Sequence, residues 1–471
     1  MVRPAEAGEG GSAGSAPDEP DVVVIGGGPA GEVAAGKLAE GGMQVVLVER
    51  GLVGGECSFY ACMPSKALLR PAEVLAEARR VQGAAQAVRG ELDVGALLAR
   101  RDEVIHDRDD AAQLPWLEDR GIELVRAHGR LDGERTVRAG EHVLRPRRAV
   151  VLATGSVAAL PPIDGLAGSR PWTNREATTA EAIPPSLLIL GGGVVGVEMA
   201  DAYASFGAEV TLVEAGPRLI AGEEPFASEL VCDALRGRGV EVLLGGRASA
   251  VARPSLDGPV TVTLEDGTAR TAAEMLIATG RRPLSDDLGL ETVGIEPGGF
   301  VDVDERLRAG GHDWLYAVGD INGRALLTHM GKHQARVVAS EILGRPPGAA
   351  NAEVVPRVIF TDPQVAAVGH TRASAREAGI EVREARVSLQ ANAGASFVGH
   401  DAGGCASILI DGSREVIVGA TFVGVEVAEG MHAATVAIVG EVPLAQLARA
   451  VPSFPTRSEV WLGLLDNAAQ G

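Results

Sequence analysis

What most limits the fold of this chain is a phrase it carries twice. Residues 22–49, VVVIGGGPAGEVAAGKLAEGGMQVVLVE, align without a gap to residues 187–214, LLILGGGVVGVEMADAYASFGAEVTLVE. Each copy opens on an apolar run without polar alternation, the pattern of a parallel strand covered on both faces. G-x-G-x-x-G follows: Gly26, Gly28 and Gly31 in the first copy, Gly191, Gly193 and Gly196 in the second. A short helical stretch is then closed by glycine (Gly41-Gly42; Gly207), and a second apolar strand ends on Glu49 or Glu214. The glycines permit a tight turn and bring backbone close to a pyrophosphate resting on the helix N-terminus. The acid at the end of the second strand accepts hydrogen bonds from ribose hydroxyls. A single such loop is a weak signal. Two copies in full strand–turn–helix–strand–acid context define two dinucleotide-binding units.

Two dinucleotide sites in one chain point to a flavin enzyme reduced by a nicotinamide. Both halves also close alike, on VVLATG (150–155) and MLIATG (275–280), each an apolar strand running into a small-residue turn. Further on, WLYAVGDINGRALLT (314–328) reads as a strand ending at Gly319-Asp320 and a loop leading to a helix. Asp320 is placed to meet a flavin's ribityl or pyrophosphate region, although an ordinary N-cap Asp reads the same way.

Composition excludes several classes. A chain of 471 residues predicts about three domains. With 46% hydrophobic residues and a mean hydropathy of +0.13, it can bury large cores. A net charge of −20 opposes a role tracking nucleic-acid phosphates. No stretch approaches the ~18 uninterrupted apolar residues of a membrane span. Residues 1–20, MVRPAEAGEGGSAGSAPDEP, have neither the basic start nor the apolar core of a signal peptide, and read as a disordered tail. The expectation is a cytoplasmic protein.

The stretch GGECSFYACMPSK (54–66) sets Cys57 and Cys62 beside Lys66, one of only three lysines among 43 basic residues. A redox disulfide, half of a metal site and two buried thiols all remain open from the residues alone. Four cysteines (57, 62, 232, 405) in a reducing compartment are not a secreted disulfide framework. A zinc site wants a second Cys/His pair at short spacing, and the remaining cysteines and histidines are scattered. On an ideal helix, positions i and i+5 rise ~7.5 Å and lie ~140° apart, which puts their Cα atoms beyond the ~7 Å reach of a disulfide. A bonded pair therefore requires an irregular helix, or Cys57 ahead of it, and Gly54-Gly55 supply a bent entry.

With GGGPAG, GGECSFYACMPSK, ATG, GGGVVGVE, ATGRRP, YAVGD, FTDPQVAAVG and PTRSE in this order, the chain resembles the pyridine nucleotide–disulfide oxidoreductases from about residue 21 to 465. That group contains glutathione reductase, dihydrolipoamide dehydrogenase and mercuric reductase. The resemblance implies an α/β fold with two Rossmann-like domains, one for FAD (21–155 and 281–350) and one for NAD(P) (156–280). A C-terminal α+β interface domain (351–471) would build a homodimer. The Pro/Gly-rich stretches LPPIDGLAGSRPW (160–172) and LGRPPGAANAE (343–353) are compatible with these breaks. FAD would be held by Gly26, Gly28, Pro29, Ala30, Gly31, Glu49, Arg50, Gly55, Lys66, Gly129, Thr154, Gly155, Asp320 and Thr328. NAD(P) would be held by Gly191, Gly193, Val195, Gly196, Glu214 and Gly280. No metal site is expected.

The same resemblance implies a redox disulfide between Cys57 and Cys62. Cys62 would lie nearer the flavin as the charge-transfer thiolate, and Cys57 would be the outer thiol that attacks a substrate disulfide. Lys66 would reach the flavin N5 region paired with Glu198, stabilising the reduced flavin's negative charge and lowering the proximal thiol's pKa. Hydride would pass from NAD(P)H to FAD, electrons to the disulfide, and Cys57 would exchange with a bound disulfide. Glu214 favours the free 2′-hydroxyl of NADH over the 2′-phosphate of NADPH, with Arg218 four residues on to soften that preference.

One motif departs. The group carries His-Pro-Thr-x-Ser-Glu near its C-terminus, the histidine serving the partner subunit as acid–base. Here the stretch reads Phe454-Pro455-Thr456-Arg457-Ser458-Glu459. Phe454 carries no proton. Glu459 and Tyr60 are the candidate substitutes, while His329, His400 and His432 read as surface or interface residues. Turnover of glutathione or lipoamide is thereby put in doubt, though a dihydrolipoamide dehydrogenase-like enzyme remains among the alternatives. Phe454, Phe59 and Tyr60 suit an apolar or heteroaromatic partner, so the expected substrate is a small-molecule or secondary-metabolite disulfide or dithiol. Another alternative is a non-disulfide acceptor such as a quinone, dioxygen or a nicotinamide. The ending LLDNAAQG lacks the terminal cysteines of mercuric reductase, and Cys232 and Cys405 read as buried thiols.

Overall fold

Why VVVI at 22–25 tolerates no polar alternation is plain from its surroundings in the computed structural model, which describes residues 18–346, 354–400 and 402–470. The tail expected over 1–20 lies, for residues 1–17, outside the described residues, as do residues 347–353 of the second Pro/Gly-rich stretch. The chain divides into two compact units.

The first unit takes the described residues of 1–64, 102–159 and 280–352. Its centre is a parallel sheet in the order Leu315–Ala317, Ala149–Leu152, Val22–Ile25, Val45–Val48, Glu123–Val125. Successive side chains leave opposite faces of a strand. Val22 and Val24 pack with Ala34, Leu38, Ala335 and Val338 from the helices Pro29–Glu40 and Thr328–Ile342. Val23 and Ile25 pack with Leu131, Val137 and Leu144 from a three-stranded antiparallel sheet. Both faces being covered, every residue of the strand is buried.

The second unit takes 65–101, 160–279 and the described residues of 353–471. It repeats the plan on the second copy: a parallel sheet in the order Glu241–Leu244, Glu209–Glu214, Ser186–Leu190, Glu274–Ile277. Leu187 and Ile189 face Val197 and Val231 of the helices Val194–Ser205 and Pro225–Gly237, whereas Leu188 and Leu190 face Val251, Val260 and Val262 of an antiparallel sheet. The C-terminal stretch of this unit forms a five-stranded antiparallel sheet, Arg357–Ile359, Gln364–Gly369, Val416–Gly424, Cys405–Asp411 and Val382–Ser388 in that order. Val460 and Leu464 of the helix Val460–Gln470 pack on it. The α/β architecture with an added α+β portion is thus present. Among the described residues no helix is long and apolar enough to cross a membrane.

Candidate functional site

The two glycine loops are built almost identically. Gly26 and Gly191 adopt φ of +107° and +109°, and a Cβ on either would lie 2.4 Å from a carbonyl oxygen, that of Ala153 or Ala278. A Cβ on Gly31 would lie 1.8 Å from Gly26 O, and one on Gly196 would lie 1.9 Å from Gly191 O. These contacts are backbone on backbone, so no side-chain rotation relieves them. Glu49 Oε2 and Oε1 accept from the N–H groups of Gly27 and Gly51, each at 2.6 Å. Glu214 does the same with Gly192 and Gly216, again at 2.6 Å. Each acid thus holds its own loop open, with Arg50 next to Glu49 in sequence.

Pro29 opens the helix Pro29–Glu40, and neither this helix nor Val194–Ser205, which carries Val195, has a side-chain cap on its N-terminus. Capping boxes do occur elsewhere, at Thr173 and Thr371. Around Gly28 and Gly193 an added Cβ would meet nothing within 4 Å. Uncapped N–H donors beside open space fit the diphosphate of FAD at the first loop and of NAD(P) at the second. A Cβ on Gly55 would lie 2.8 Å from Gly28 Cα, and Cβ atoms on Gly319 and Gly331 would lie 3.2 and 3.3 Å from the Ala30 methyl. Gly129 begins a strand beneath Ile25 and Val48. Gly155 follows Thr154, whose hydroxyl donates to Leu284 O at 2.9 Å. Gly280, expected beside the nicotinamide, belongs to the first unit, where its carbonyl accepts from Ala159 N–H at 2.9 Å.

The helix around the cysteines is broken, as a close pair demands. Cys57 lies in the five-residue helix Gly55–Phe59, Tyr60 caps it at φ −138°, and Cys62 opens a new helix, Cys62–Arg80. Gly54 and Gly55 take φ of +109° and +59° to make the bent entry. Neither cysteine is in a disulfide, and both are half-buried. A hydrogen bond with Cys62 pushes the Cys57 thiol well above the usual range, helped by burial and by repulsion from charge on Cys62. Thr328 and the charge of Lys332 oppose this. Thr328, at the head of its helix, sets its hydroxyl 3.4 Å from Cys62 Sγ. This contact was not legible in the sequence, where Thr328 read only as a flavin contact.

In the second unit, Lys66 Nζ lies 2.7 Å from Glu198 Oε2 and 4.8 Å from the Phe360 ring centroid. Glu198 is buried, and its other oxygen accepts from Phe360 N–H at 3.0 Å. Phe360 opens the FTDPQVAAVG motif, whose residues alone do not mark it as a partner of this pair.

Asp320 is likewise partnered within the first unit. Ser156 Oγ donates to its Oδ2 at 2.6 Å, and Arg281 Nε donates to Ser156 Oγ at 2.7 Å. Burial raises the Asp320 pKa, with Ser156 and Arg281 opposing. Ser156 and Arg281 went unread in the sequence, yet each directly follows one of the two ATG phrases. Glu32, just after the first glycine motif, is also new. Burial pushes its carboxyl up to about 7, with Lys332 opposing and Glu49 assisting.

Of the two candidate base substitutes, Glu459 has its carboxylate engaged within its own turn, and Tyr60 closes the short helix through its backbone. Glu459 Oε2 accepts from Gly394 N–H at 3.1 Å and Thr456 N–H at 3.2 Å, capping its own turn. Tyr60 N–H donates to Glu56 O at 2.8 Å. Phe454 is 77% exposed, whereas Phe59 is 1% exposed and belongs to a core, so it lines no substrate surface. His329, His400 and His432 are exposed. Cys232 is buried, but Cys405 is not: it is half-buried, and its Sγ accepts from Arg386 Nε at 2.8 Å. Arg386 reaches the strand opening because Ser388 pairs with Cys405 across the ladder.

Residues 20–339 match the family described as pyridine nucleotide-disulphide oxidoreductase, and residues 355–464 match its dimerisation domain. The chain belongs to this family. It is an FAD- and NAD(P)-dependent oxidoreductase acting on sulfur groups. It is 30% identical over 462 residues to the dihydrolipoyl dehydrogenase of Haloferax volcanii, which covers 95% of this chain and 96% of that one. To the dihydrolipoyl dehydrogenase of Thermus scotoductus it is 32% identical over 457 residues, again 95% and 96%. A mercuric reductase of Staphylococcus aureus is 28% identical over 93% of this chain and 80% of its own. Among solved structures, the HOCl-induced flavoprotein disulfide reductase RclA of Escherichia coli is similar, with a TM-score of 0.83 at 25% identity, covering 95% and 99% of the two chains. LpdA of Mycobacterium tuberculosis is similar to the same degree, at 26% identity.

Proposed function

We propose that this protein is an NADH-driven reductase of a small-molecule disulfide whose thiols leave as anions, working as a cytoplasmic homodimer. The observation that carries the reading is the Cys57–Cys62 dithiol on a broken helix, combined with an exposed Phe454 where a proton carrier is expected. FAD, when bound, supplies the two-electron relay between the nicotinamide and the Cys57–Cys62 pair. Cys57 gives up its thiol proton to solvent and attacks one sulfur of the substrate as the thiolate, forming a mixed disulfide and releasing one substrate thiolate. The Cys62 thiolate, supported by the Thr328 hydroxyl at 3.4 Å, attacks Cys57 Sγ; the Cys57–Cys62 disulfide closes and the second substrate thiolate departs.

Neither departing sulfur receives a proton from Phe454, so acidic aromatic or heteroaromatic thiols are favoured. Lys66, held by Glu198, is the cation we assign to the flavin. Residues 156–280 are assigned to the nicotinamide, and 21–155 with 281–350 to FAD. Preference for NADH is supported by Glu214 and by Arg218, which spends its donors on Glu223 O at 2.8 Å and Ala221 O at 2.5 Å. The homodimer is supported by the match to a dimerisation domain and by exposed Val436, Val439, Val451 and Phe454. A dihydrolipoyl group is the second reading, favoured by the relatives' names and opposed by Phe454.

Anaerobic stopped-flow mixing with NADH provides the test. Wild type gives a long-wavelength charge-transfer absorbance, Cys62→Ser loses it, and Cys57→Ser keeps it while losing disulfide turnover. Aromatic disulfides outpace lipoamide in the wild type, and Phe454→His narrows the gap. Disulfide reduction that survives in the Cys57→Ser/Cys62→Ser double variant overturns the proposal.

A further inference from the structure

Lys66, Glu73 and Arg80 recur at seven-residue intervals on one helix and so share a face. All three meet the segment Phe360–Gln364. Lys66 lies over the Phe360 ring, Glu73 Oε1 accepts from Gln364 Nε2 at 2.7 Å, and Arg80 pairs with the Asp362 carboxylate. The helix Val194–Ser205 grips the same segment with two carboxylates a turn apart. Glu198 Oε1 takes Phe360 N–H and Asp201 Oδ2 takes Asp362 N–H, each at 3.0 Å. Two N–H groups two residues apart on the segment thus meet two carboxylates spaced i, i+3 on one face of the helix. Arg238 closes the arrangement. Its Nη1 lies 3.2 Å from Asp201 Oδ1 and donates to Asp362 O at 2.5 Å, while Nη2 lies 2.9 Å from Asp362 Oδ2.

We infer that Asp201, braced by Arg238 and Asp362, is a positioning residue for the Lys66–Glu198 pair. This rests on the reading that the pair serves the flavin. Glu198 holds two donors, Phe360 N–H on one oxygen and Lys66 on the other; the Asp201–Asp362 bond two residues further along keeps the first donor in register. A segment freed at Asp362 lets Phe360 withdraw, and Glu198 then turns away from Lys66. Asp201 also links this geometry to charge. Burial, foremost, raises its carboxyl to about 6; Asp362 and Glu198 add repulsion, and Arg238 and the Asp362 N–H oppose. Arg80 reaches the same group through Asp362. A cavity of about 470 Å³ bordered by Asp201, Arg238 and Asp362, with Glu73, Arg79 and Glu91 on its walls, gives protons access.

The test is a double-mutant cycle on the holoenzyme, reading the rate of flavin reduction by NADH from pH 5 to 8. Asp201→Asn is expected to slow reduction about 3–10-fold at neutral pH, the effect of a distorted rather than a deleted contact. It is also expected to remove an inflection near pH 6, and to have no further effect in a Glu198→Gln background. Equal slowing in both backgrounds, or an unchanged rate and inflection, overturns the inference. If Glu198→Gln alone leaves the rate at the wild-type level, the flavin role of the pair falls first and the inference falls with it. Arg238→Gln, judged by the same criteria, replaces Asp201→Asn should that variant not fold.

Discussion

Replacing Lys66 by methionine isolates what the buried Glu198 carboxylate demands of its surroundings. At 2.7 Å and an effective dielectric of about 20, the pair attracts by about 6 kcal/mol before desolvation is counted. Removing one member of a buried pair costs about 3–5 kcal/mol, because the remaining charge is stranded. Lys66 is 35% exposed and Glu198 only 4%, so water can reach the vacated side, and the expected loss falls to about 2–3 kcal/mol. That corresponds to a fall of roughly 5–10 °C in the melting of the unit that holds both residues. Thermal scans followed by circular dichroism and by flavin fluorescence measure it. Adding Glu198→Gln should recover most of the loss, since the amide oxygen still accepts from Phe360 N–H at 3.0 Å while the stranded charge is gone. A Lys66→Met melting curve superimposed on wild type, or a double variant less stable than the single one, would refute the reasoning.

Glu32 makes stability depend on pH. Its folded pKa, about 7, is raised above the ordinary 4.5, so its contribution is fully present below about pH 4.5 and is lost as pH rises through 7. The loss approaches about 3 kcal/mol. Glu32→Gln should narrow the gap between melting temperatures at pH 5 and pH 8, and an unchanged gap counts against the assignment. The glycine loops should separate the two cofactors. Gly31→Ala, with its Cβ 1.8 Å from Gly26 O, should yield protein without flavin absorbance. Gly196→Ala, with its Cβ 1.9 Å from Gly191 O, should keep the flavin, which dithionite bleaches and NADH does not. Loss of flavin in both variants would show that the loops are not separately dedicated.

The helix break at the cysteines shows how far the sequence could be read. Spacing on an ideal helix showed that a bonded Cys57–Cys62 pair needs an irregular helix or Cys57 ahead of it, and the structure breaks the helix between them, with Tyr60 capping the first piece. Reading Phe59 as a substrate contact failed for the opposite reason: the short helix turns that ring into a core, and nothing in FYAC states which way the helix faces. Cys405 misled similarly, because the ladder that brings Arg386 to it pairs residues from separate strands.

By itself the sequence determined the two dinucleotide loops, their acids and the doubly covered strands. Each depends on sterics within a few residues: a Cβ that cannot exist at Gly31 or Gly196, and a strand whose neighbouring side chains must leave opposite faces. Only the tertiary structure decided the partners of functional side chains. Thr328 meets Cys62 across 266 residues and Asp201 meets Asp362 across 161, whereas the Lys66–Glu198 pair was already implied by the family resemblance. Such contacts depend on which helix face is turned to which strand. Long-range packing sets that choice, and no local pattern of residues encodes it.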